Sequence, residues 1–146
     1  MPSRSVFINA GPEEVFTYIA DLPRHKEWAA DTVNPVPLSG GPVVVGKRYR
    51  SQNHFALGDT TDDIEITLYD PPRRFGFSAH SAEADVEHEF ILSPQDGGTL
   101  MERVITMKRT TLPFKIIFPL AYLLVGRPSD IKSMNQLKAR LEQQAP

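Results

Sequence analysis

Hydrophobic and polar residues alternate through the middle of the chain, whereas helical spacing marks its two ends. Alternation is typical of a strand with one buried face, and spacings of three or four residues are typical of an amphipathic helix. The last six predicted strands are joined by short segments rich in glycine, proline and aspartate, which favours antiparallel neighbours because parallel strands need longer crossovers. Seven strands are predicted, at residues 4–9, 33–38, 47–57, 61–70, 74–80, 84–93 and 99–109.

Two short helices are predicted between the first and second strands. Pro12 suits the first turn of one helix, and acidic residues follow it where the helix dipole favours them. Asp21 can cap the second helix, residues 22–29, in which Trp28 is the large apolar anchor. The chain therefore leaves the first strand, forms two small helices and only then enters the long run of strands.

Helical spacing returns after the last strand, and residues 112–145 are predicted to be helical. Ser129 or Asp130 can cap a helix whose apolar residues recur at intervals of three or four. A helix with one apolar stripe must be covered by another surface, and the only large one is a face of the predicted sheet. The stripe consists of Ile131, Met134, Leu137 and Leu141.

Composition narrows the class of protein. A chain of 146 residues that is 40% hydrophobic and 23% charged is expected to form one folded domain, residues 1–146. Its net charge of -2 argues against a nucleic-acid partner, and the lack of cysteine excludes disulfides and thiol chemistry. No stretch near the N-terminus has the pattern of a secretory signal, so a cytoplasmic location is expected.

The chain offers no pattern for a metal or a nucleotide. Its four histidines lack HExxH spacing, and GxSxG, P-loop and GxGxxG motifs are absent from the sequence. Asp59, Asp62 and Asp63 lie close together but lack the glycine and the distal glutamate of a calcium loop, so they predict a polar hairpin turn. We therefore expect neither a metal nor a cofactor.

Two local patterns resemble the START-like (SRPBCC) superfamily, and within it the polyketide cyclase/dehydrase and lipid-transport family. They are VFINAGPEEVFTYIADLPRHKEW at residues 6–28 and DIEITLYDPPRRFGFSA at residues 63–79, and LKARLEQ at 137–143 is similar to the family's last helix. The resemblance implies an α+β helix-grip fold, in which a curved seven-stranded antiparallel sheet with two short helices holds a long C-terminal helix over a cavity. These are scaffold patterns, which identify a fold better than a reaction.

His88 is the first candidate for chemistry. It alternates with acidic residues that suit solvent, and it shares its side of the predicted strand with Val86 and Phe90. Histidine titrates near neutrality, so an inward His88 can act as a general base or bind a ligand. The alternative is a core histidine that is hydrogen-bonded to a neighbour.

Arg103 is the second candidate, and it shares one side of the last strand with Met101 and Ile105. If that side faces inward, Arg103 is a buried cation that needs an acidic partner or the anionic group of a ligand. If it faces outward, Arg103 pairs with surface carboxylates. His88 and Arg103 together form the predicted catalytic pair.

Further polar and apolar residues complete the predicted cavity wall, in which the hydroxyl of Tyr49 and the amide of Asn53 can orient a carbonyl-bearing ligand. The remaining histidines, His25, His54 and His80, are expected in solvent. The full predicted lining is Tyr49, Asn53, Phe55, Phe75, Phe77, Val86, His88, Phe90, Met101, Arg103, Ile105, Phe118 and Tyr122.

Residues 112–125, LPFKIIFPLAYLLV, are apolar apart from Lys115. As a helix they would span about 21 Å, which is short of the roughly 30 Å hydrocarbon core of a membrane. Three interpretations stay open. The segment forms the first half of the long helix and roofs the cavity, or it makes a contact between two copies of the chain, or it touches a membrane transiently.

Three functions follow from these patterns. The first is binding of a hydrophobic small molecule, such as a lipid, an isoprenoid or a polyketide-like compound, between the sheet and the last helix. The second is a polyketide cyclase or dehydratase, in which His88 moves a proton next to a carbonyl while Arg103, or Tyr49 with Asn53, stabilises the enolate oxygen. The third is a protein–protein interaction module that uses the apolar segment.

Overall fold

The computed structural model describes residues 3–29, 33–55, 58–121, 123–124 and 127–144. All seven strands join one antiparallel sheet in the order β1-β7-β6-β5-β4-β3-β2, which confirms the predicted α+β helix-grip arrangement of a curved sheet with short helices and a C-terminal helix. The elements are β1 (Ser3–Ile8), α1 (Pro12–Ala20), a 3₁₀ helix (Leu22–Glu27), β2 (Pro35–Pro37), β3 (Arg48–Phe55), β4 (Gly58–Asp70), β5 (Arg74–His80), β6 (Ala84–Gln95), β7 (Gly98–Thr110), α2 (Leu112–Ala121) and α3 (Arg127–Gln144).

The strands differ from the predicted ones mainly at their ends. β2 is much shorter than predicted, because prolines at both of its ends cannot donate to a ladder. β4 begins earlier than predicted, so Asp59, Asp62 and Asp63 lie within a strand and the predicted polar hairpin turn is wrong. Alternation along that strand places Asp62 on the inner face and the other two aspartates on the outer face, beside His54 and Arg50.

β6 and β7 are joined by a turn of two residues. Asp96 and Gly97 have φ angles of 48° and 79°, as the tight turn between two antiparallel strands requires. The strands pair without interruption from this turn up to a bulge between Asp85 and Val86. The register of the two longest neighbouring strands is thus set by the turn.

The structure describes two α-helices in the C-terminal region. α2 contains Pro119, and α3 begins at Arg127 with Pro128 in its first turn, where a missing N–H costs nothing. The described apolar side chains of α2 are exposed, so they do not roof a cavity as the first interpretation predicted. Tyr122 and the side chain of Phe118 lie outside the described residues.

α1, the 3₁₀ helix and α3 cover one face of the sheet, which we call the inner face. The apolar stripe of α3 is buried as predicted, except that Ile131 at its start is exposed. The largest fully buried side chains of this core include Trp28, Tyr49, Phe75, Phe90, Ile8, Ile19, Leu22, Ile66 and Met101.

His25 lies in this core, so the prediction of a solvent-exposed side chain is wrong. A 3₁₀ helix has three residues per turn, and Leu22, His25 and Trp28 therefore project from one side of it. The Nε2–H of His25 donates to the carbonyl oxygen of Ile19 at 2.7 Å. Burial lowers the pKa of His25 to about 4, and the charge of Arg103 adds to this effect.

Asp130 fastens α3 to the sheet. Its two carboxylate oxygens accept from Arg4 of β1 at 3.3 Å and from Arg103 of β7 at 3.1 Å. The side chains of Asp130 and Arg103 are only 10% and 15% exposed. Such a buried ion pair fixes the position of both partners, because either charge alone would be costly to bury.

Replacing Asp130 by asparagine is expected to destabilise the fold by about 2 kcal/mol, because two arginines then lose their shared carboxylate in a mostly buried place. Urea denaturation measures this change. The matched control is Asp63→Asn, whose pair with Arg50 is exposed and is expected to contribute less than about 0.5 kcal/mol. Equal effects of the two substitutions would contradict the role given to Asp130.

His25 is expected to make stability fall as the pH falls. In the unfolded chain the ring titrates near its ordinary value, whereas the folded pKa is about 4, so the unfolded state binds more protons below about pH 6.5. Between pH 7.5 and pH 5 the loss from this one group is about 2 kcal/mol. In urea titrations at both values, His25→Gln should weaken the pH dependence and His54→Gln, in an exposed position, should retain it. An unchanged dependence in His25→Gln would disprove the assignment.

Candidate functional site

The register of the sheet shows which predicted residues share its inner face. Ile105 of β7, His88 of β6 and Phe77 of β5 lie directly opposite one another, and Met107 and Val86 form the next row. Arg103 lies opposite Phe90 and reaches Asp130 of α3, so it also points inward. The predicted inward orientation of His88 is therefore confirmed, and Arg103, whose side the sequence left open, also faces inward.

The inner face has a packed part and an open part. Phe75, Phe90 and Met101 are completely buried beneath the helices, so they belong to the core rather than to a cavity wall. Farther along the same strands the side chains are not completely buried, and that of Arg103 is 15% exposed. We call this region the inner-face patch, and it consists of Val86, His88, Arg103, Ile105 and Met107.

His88 is held by two neighbours. Its ring stacks on Phe77 with 4.6 Å between the ring centroids. Its Nδ1 lies 3.4 Å from Nη2 of Arg103. A guanidinium group can only donate, so Nδ1 accepts and the proton of the neutral ring is on Nε2. Burial lowers the pKa of His88 well below its usual value, and the charge of Arg103 lowers it further.

Arg103 has the acidic partner that an inward arginine requires. Besides Asp130, its guanidinium lies 5.6 Å from the ring centre of Phe90 and 6.0 Å from that of Trp28. Within the described part of the chain, the cluster around Asp130 contains two guanidinium groups and one carboxylate. This side of the inner face is consequently suited to an oxygen-bearing, electron-rich group.

Asn53 is engaged in a polar network of its own. Its amide oxygen accepts from the Ser51 hydroxyl, and its Nδ2 donates to Thr60 at 3.1 Å and to Asp62 at 2.9 Å. Burial raises the pKa of Asp62. The network satisfies the polar groups of Asn53 within the sheet, so this residue is not free to orient a ligand.

Tyr49 is also separated from His88. β4 and β5 lie between the strands that carry these two residues, a distance of about 14 Å along a sheet with a strand spacing of about 4.8 Å. The structure thus brings His88 and Arg103 together but does not place Tyr49 and Asn53 beside them. The side chain of Phe55 lies outside the described residues.

A pocket of about 570 Å³ is lined by α1, by residues 41–43 and by residues at one end of β3 and β4, and sequence reasoning missed it. Tyr49 is the one predicted lining residue that contributes to it. Five of its lining residues are prolines from three separate parts of the sequence, and only the fold brings these parts together. Its walls include Phe16, Ala20, Val43, Tyr49, Tyr69 and the prolines at 23, 37, 42, 71 and 72.

Among the described residues, no group of three His, Asp or Glu side chains is arranged so that it could bind a metal ion. His54 and His80 are exposed on the outer side of the sheet as predicted, each beside an aspartate. The polar groups of the inner-face patch are the imidazole of His88 and the guanidinium of Arg103.

Comparison with known proteins gives the same fold. A protein from Thermus thermophilus superposes with a TM-score of 0.79 at 17% identity, covering 99% of this chain and 98% of the other. A protein from Chromobacterium violaceum superposes with a TM-score of 0.71 at 18% identity, covering 97% of this chain and 96% of the other. The di-domain ARO/CYC StfQ from the steffimycin biosynthetic pathway gives 0.71 at 10% identity, covering 98% of this chain and 45% of StfQ.

Among curated proteins no significant sequence match is found. A family model described as polyketide cyclase/dehydrase and lipid transport matches residues 3–142, which is nearly the whole chain. The resemblance of the opening and central patterns is thereby confirmed. The chain belongs to the polyketide cyclase/dehydrase and lipid transport family.

Proposed function

We propose that the protein binds a hydrophobic small molecule, such as a lipid, an isoprenoid or a polyketide-like compound, against the inner-face patch. The observation that carries the proposal is the change from completely buried to partly exposed side chains along β6 and β7. Covering apolar side chains with an apolar ligand removes their surface from water, which is energetically favourable. A mostly apolar surface with few polar groups is also the usual form of a small-molecule site.

The polar end of the ligand would lie at His88 and Arg103. Because Nδ1 of His88 accepts from Arg103, the ring offers its Nε2–H as a donor. Arg103 contributes positive charge next to that donor. A carbonyl or carboxylate oxygen therefore fits this end, and the apolar body of the ligand fits Val86, Ile105 and Met107.

A second candidate function is catalysis of cyclisation or dehydration on a poly-β-ketone chain. Two observations favour it: the 3.4 Å contact between His88 and Arg103, and the fold shared with StfQ, whose name describes an ARO/CYC. In such a reaction the guanidinium and the Nε2–H would stabilise the negative charge that develops on an enolate oxygen. The lowered pKa of His88 suits this donor role better than the proton abstraction predicted from the sequence.

Filling the patch is expected to weaken ligand binding. Ile105→Trp adds bulk where the ligand would lie, so the affinity for the fluorescent naphthyl ketone Prodan should fall roughly ten-fold, equivalent to about 1.4 kcal/mol. Val104→Trp makes the same kind of change on the outer face of the same strand and should leave the affinity unchanged. Fluorescence titration measures both, with thermal melting as the control for folding.

The wild-type protein should also release a co-purified apolar compound when it is extracted for mass spectrometry. Saturable Prodan binding that both variants retain equally would place the ligand elsewhere. Absence of both saturable binding and a co-purified compound would refute the proposed function.

The donor role of His88 has its own test. His88→Phe keeps a ring that can stack on Phe77 but removes the Nε2–H, so the affinity for Prodan should fall roughly five-fold, as expected for one lost hydrogen bond. His54→Phe, at an exposed position on the outer face, is the matched control and should bind like the wild type.

The same two variants separate binding from catalysis. If the wild type converts a poly-β-ketone mimic and His88→Phe does so at the same rate, the catalytic candidate is wrong. If His88→Phe abolishes turnover while Prodan still binds, the enzyme interpretation gains over simple binding.

A further inference from the structure

α2 exposes an unusual amount of apolar surface. It contacts solvent through large aliphatic side chains, and the two described residues after it continue the same pattern. Exposed single hydrophobic residues are normal, but a contiguous exposed patch marks a surface that another molecule covers. The exposed side chains are Leu112 (70%), Ile116 (71%), Ile117 (58%), Leu120 (63%), Leu123 (60%) and Leu124 (67%).

The length of α2 excludes one way of covering this surface. Its ten residues extend about 15 Å, about half of the hydrocarbon thickness of a bilayer. None of the helices in the described part of the chain is both long and apolar enough to cross a membrane. A short apolar helix can instead lie in the interface between lipid headgroups and acyl chains.

Charge around α2 indicates what covers it. Residues 108–132 contain five basic residues and one acidic residue, although the whole chain has a net charge of -2. The acidic residue, Asp130, is held between two arginines. Lys115, Arg127 and Lys132 are exposed, and they form no ion pair with a carboxylate in the described ranges. A basic side chain on an exposed apolar helix, followed along the chain by two more exposed basic residues, is complementary to an anionic lipid surface.

We propose that α2 docks on the surface of an anionic lipid membrane, with its aliphatic side chains in the interface and the neighbouring basic residues on the headgroups. A second copy of the chain is the less favourable occupant, because it would bring the same uncompensated basic residues against each other. α2 follows directly after β7, the strand that carries Arg103, Ile105 and Met107. Docking through α2 would therefore hold the end of the ligand-binding strand close to the membrane.

Co-sedimentation with lipid vesicles tests the apolar contribution. The wild type should bind vesicles of phosphatidylcholine and phosphatidylglycerol (3:1) and should bind pure phosphatidylcholine at least roughly ten-fold more weakly. The double variant Ile116→Glu/Leu120→Glu should lose binding to both. Its matched control is Val44→Glu/Val45→Glu, which changes two exposed apolar side chains outside α2 and should bind like the wild type.

The charge contribution has a separate pair of variants. Lys115→Gln should weaken binding to the anionic vesicles roughly five-fold, the effect of one basic residue near an anionic surface. Lys26→Gln removes an exposed lysine of the 3₁₀ helix and should have no effect. Raising the salt concentration should weaken the binding of the wild type.

Two outcomes would overturn the proposal. One is a wild type that does not bind the anionic vesicles. The other is a concentration-dependent dimer in sedimentation velocity that Ile116→Glu/Leu120→Glu converts to a monomer, which would make a second copy the occupant. Prodan binding at the inner-face patch should be the same in all these variants, so a failure of this proposal is distinguishable from a failure of the proposed function.

Discussion

The arrangement of the site depends on one buried ion-pair cluster. Asp130, in the first turn of α3, accepts hydrogen bonds from Arg4 of β1 and from Arg103 of the neighbouring β7. These ion pairs connect the last helix to the edge of the sheet. The same contact orients Arg103 so that a second nitrogen of its guanidinium reaches His88. Because a guanidinium is always a donor, this chain of contacts also decides which ring nitrogen of His88 carries the proton. The carboxylate of Asp130 therefore both holds α3 on the sheet and sets the hydrogen bonding of Arg103 and His88.

Much of the fold could be predicted from alternation alone, since a strand with one buried face must repeat every two residues. The inward side of β6 was evident because acidic residues occupy the other side. The inward orientation of His88 could be predicted from this alternation. The position of His25 was missed because its polarity favoured solvent, although Leu22 and Trp28 lie three residues to either side of it and place it on the buried side of the helix. Arg103 could be assigned to a side only when its partner on a distant helix was known.

The parts of the site that escaped prediction depend on long-range contacts. Tyr49 and Asn53 carry suitable polar groups, but alternation cannot tell that three neighbours satisfy Asn53 or that two strands separate Tyr49 from His88. The pocket walled by prolines joins segments that are far apart in the chain, and no local pattern marks it. Likewise, the apolar composition of residues 112–125 left three interpretations open, and only the structure shows that the described aliphatic side chains of α2 face outward.

The two-residue turn between β6 and β7 has a consequence for how the site forms. His88 and Arg103 are only 15 positions apart, on the two arms of a single hairpin. Contacts of such short sequence separation close quickly, within about 1–10 μs for an isolated hairpin, whereas Asp130 must arrive with the last segment of the chain. The side chains of His88 and Arg103 can thus come into contact before the core is complete. When α3 packs on the sheet, Asp130 then stabilises this contact by pairing with Arg103.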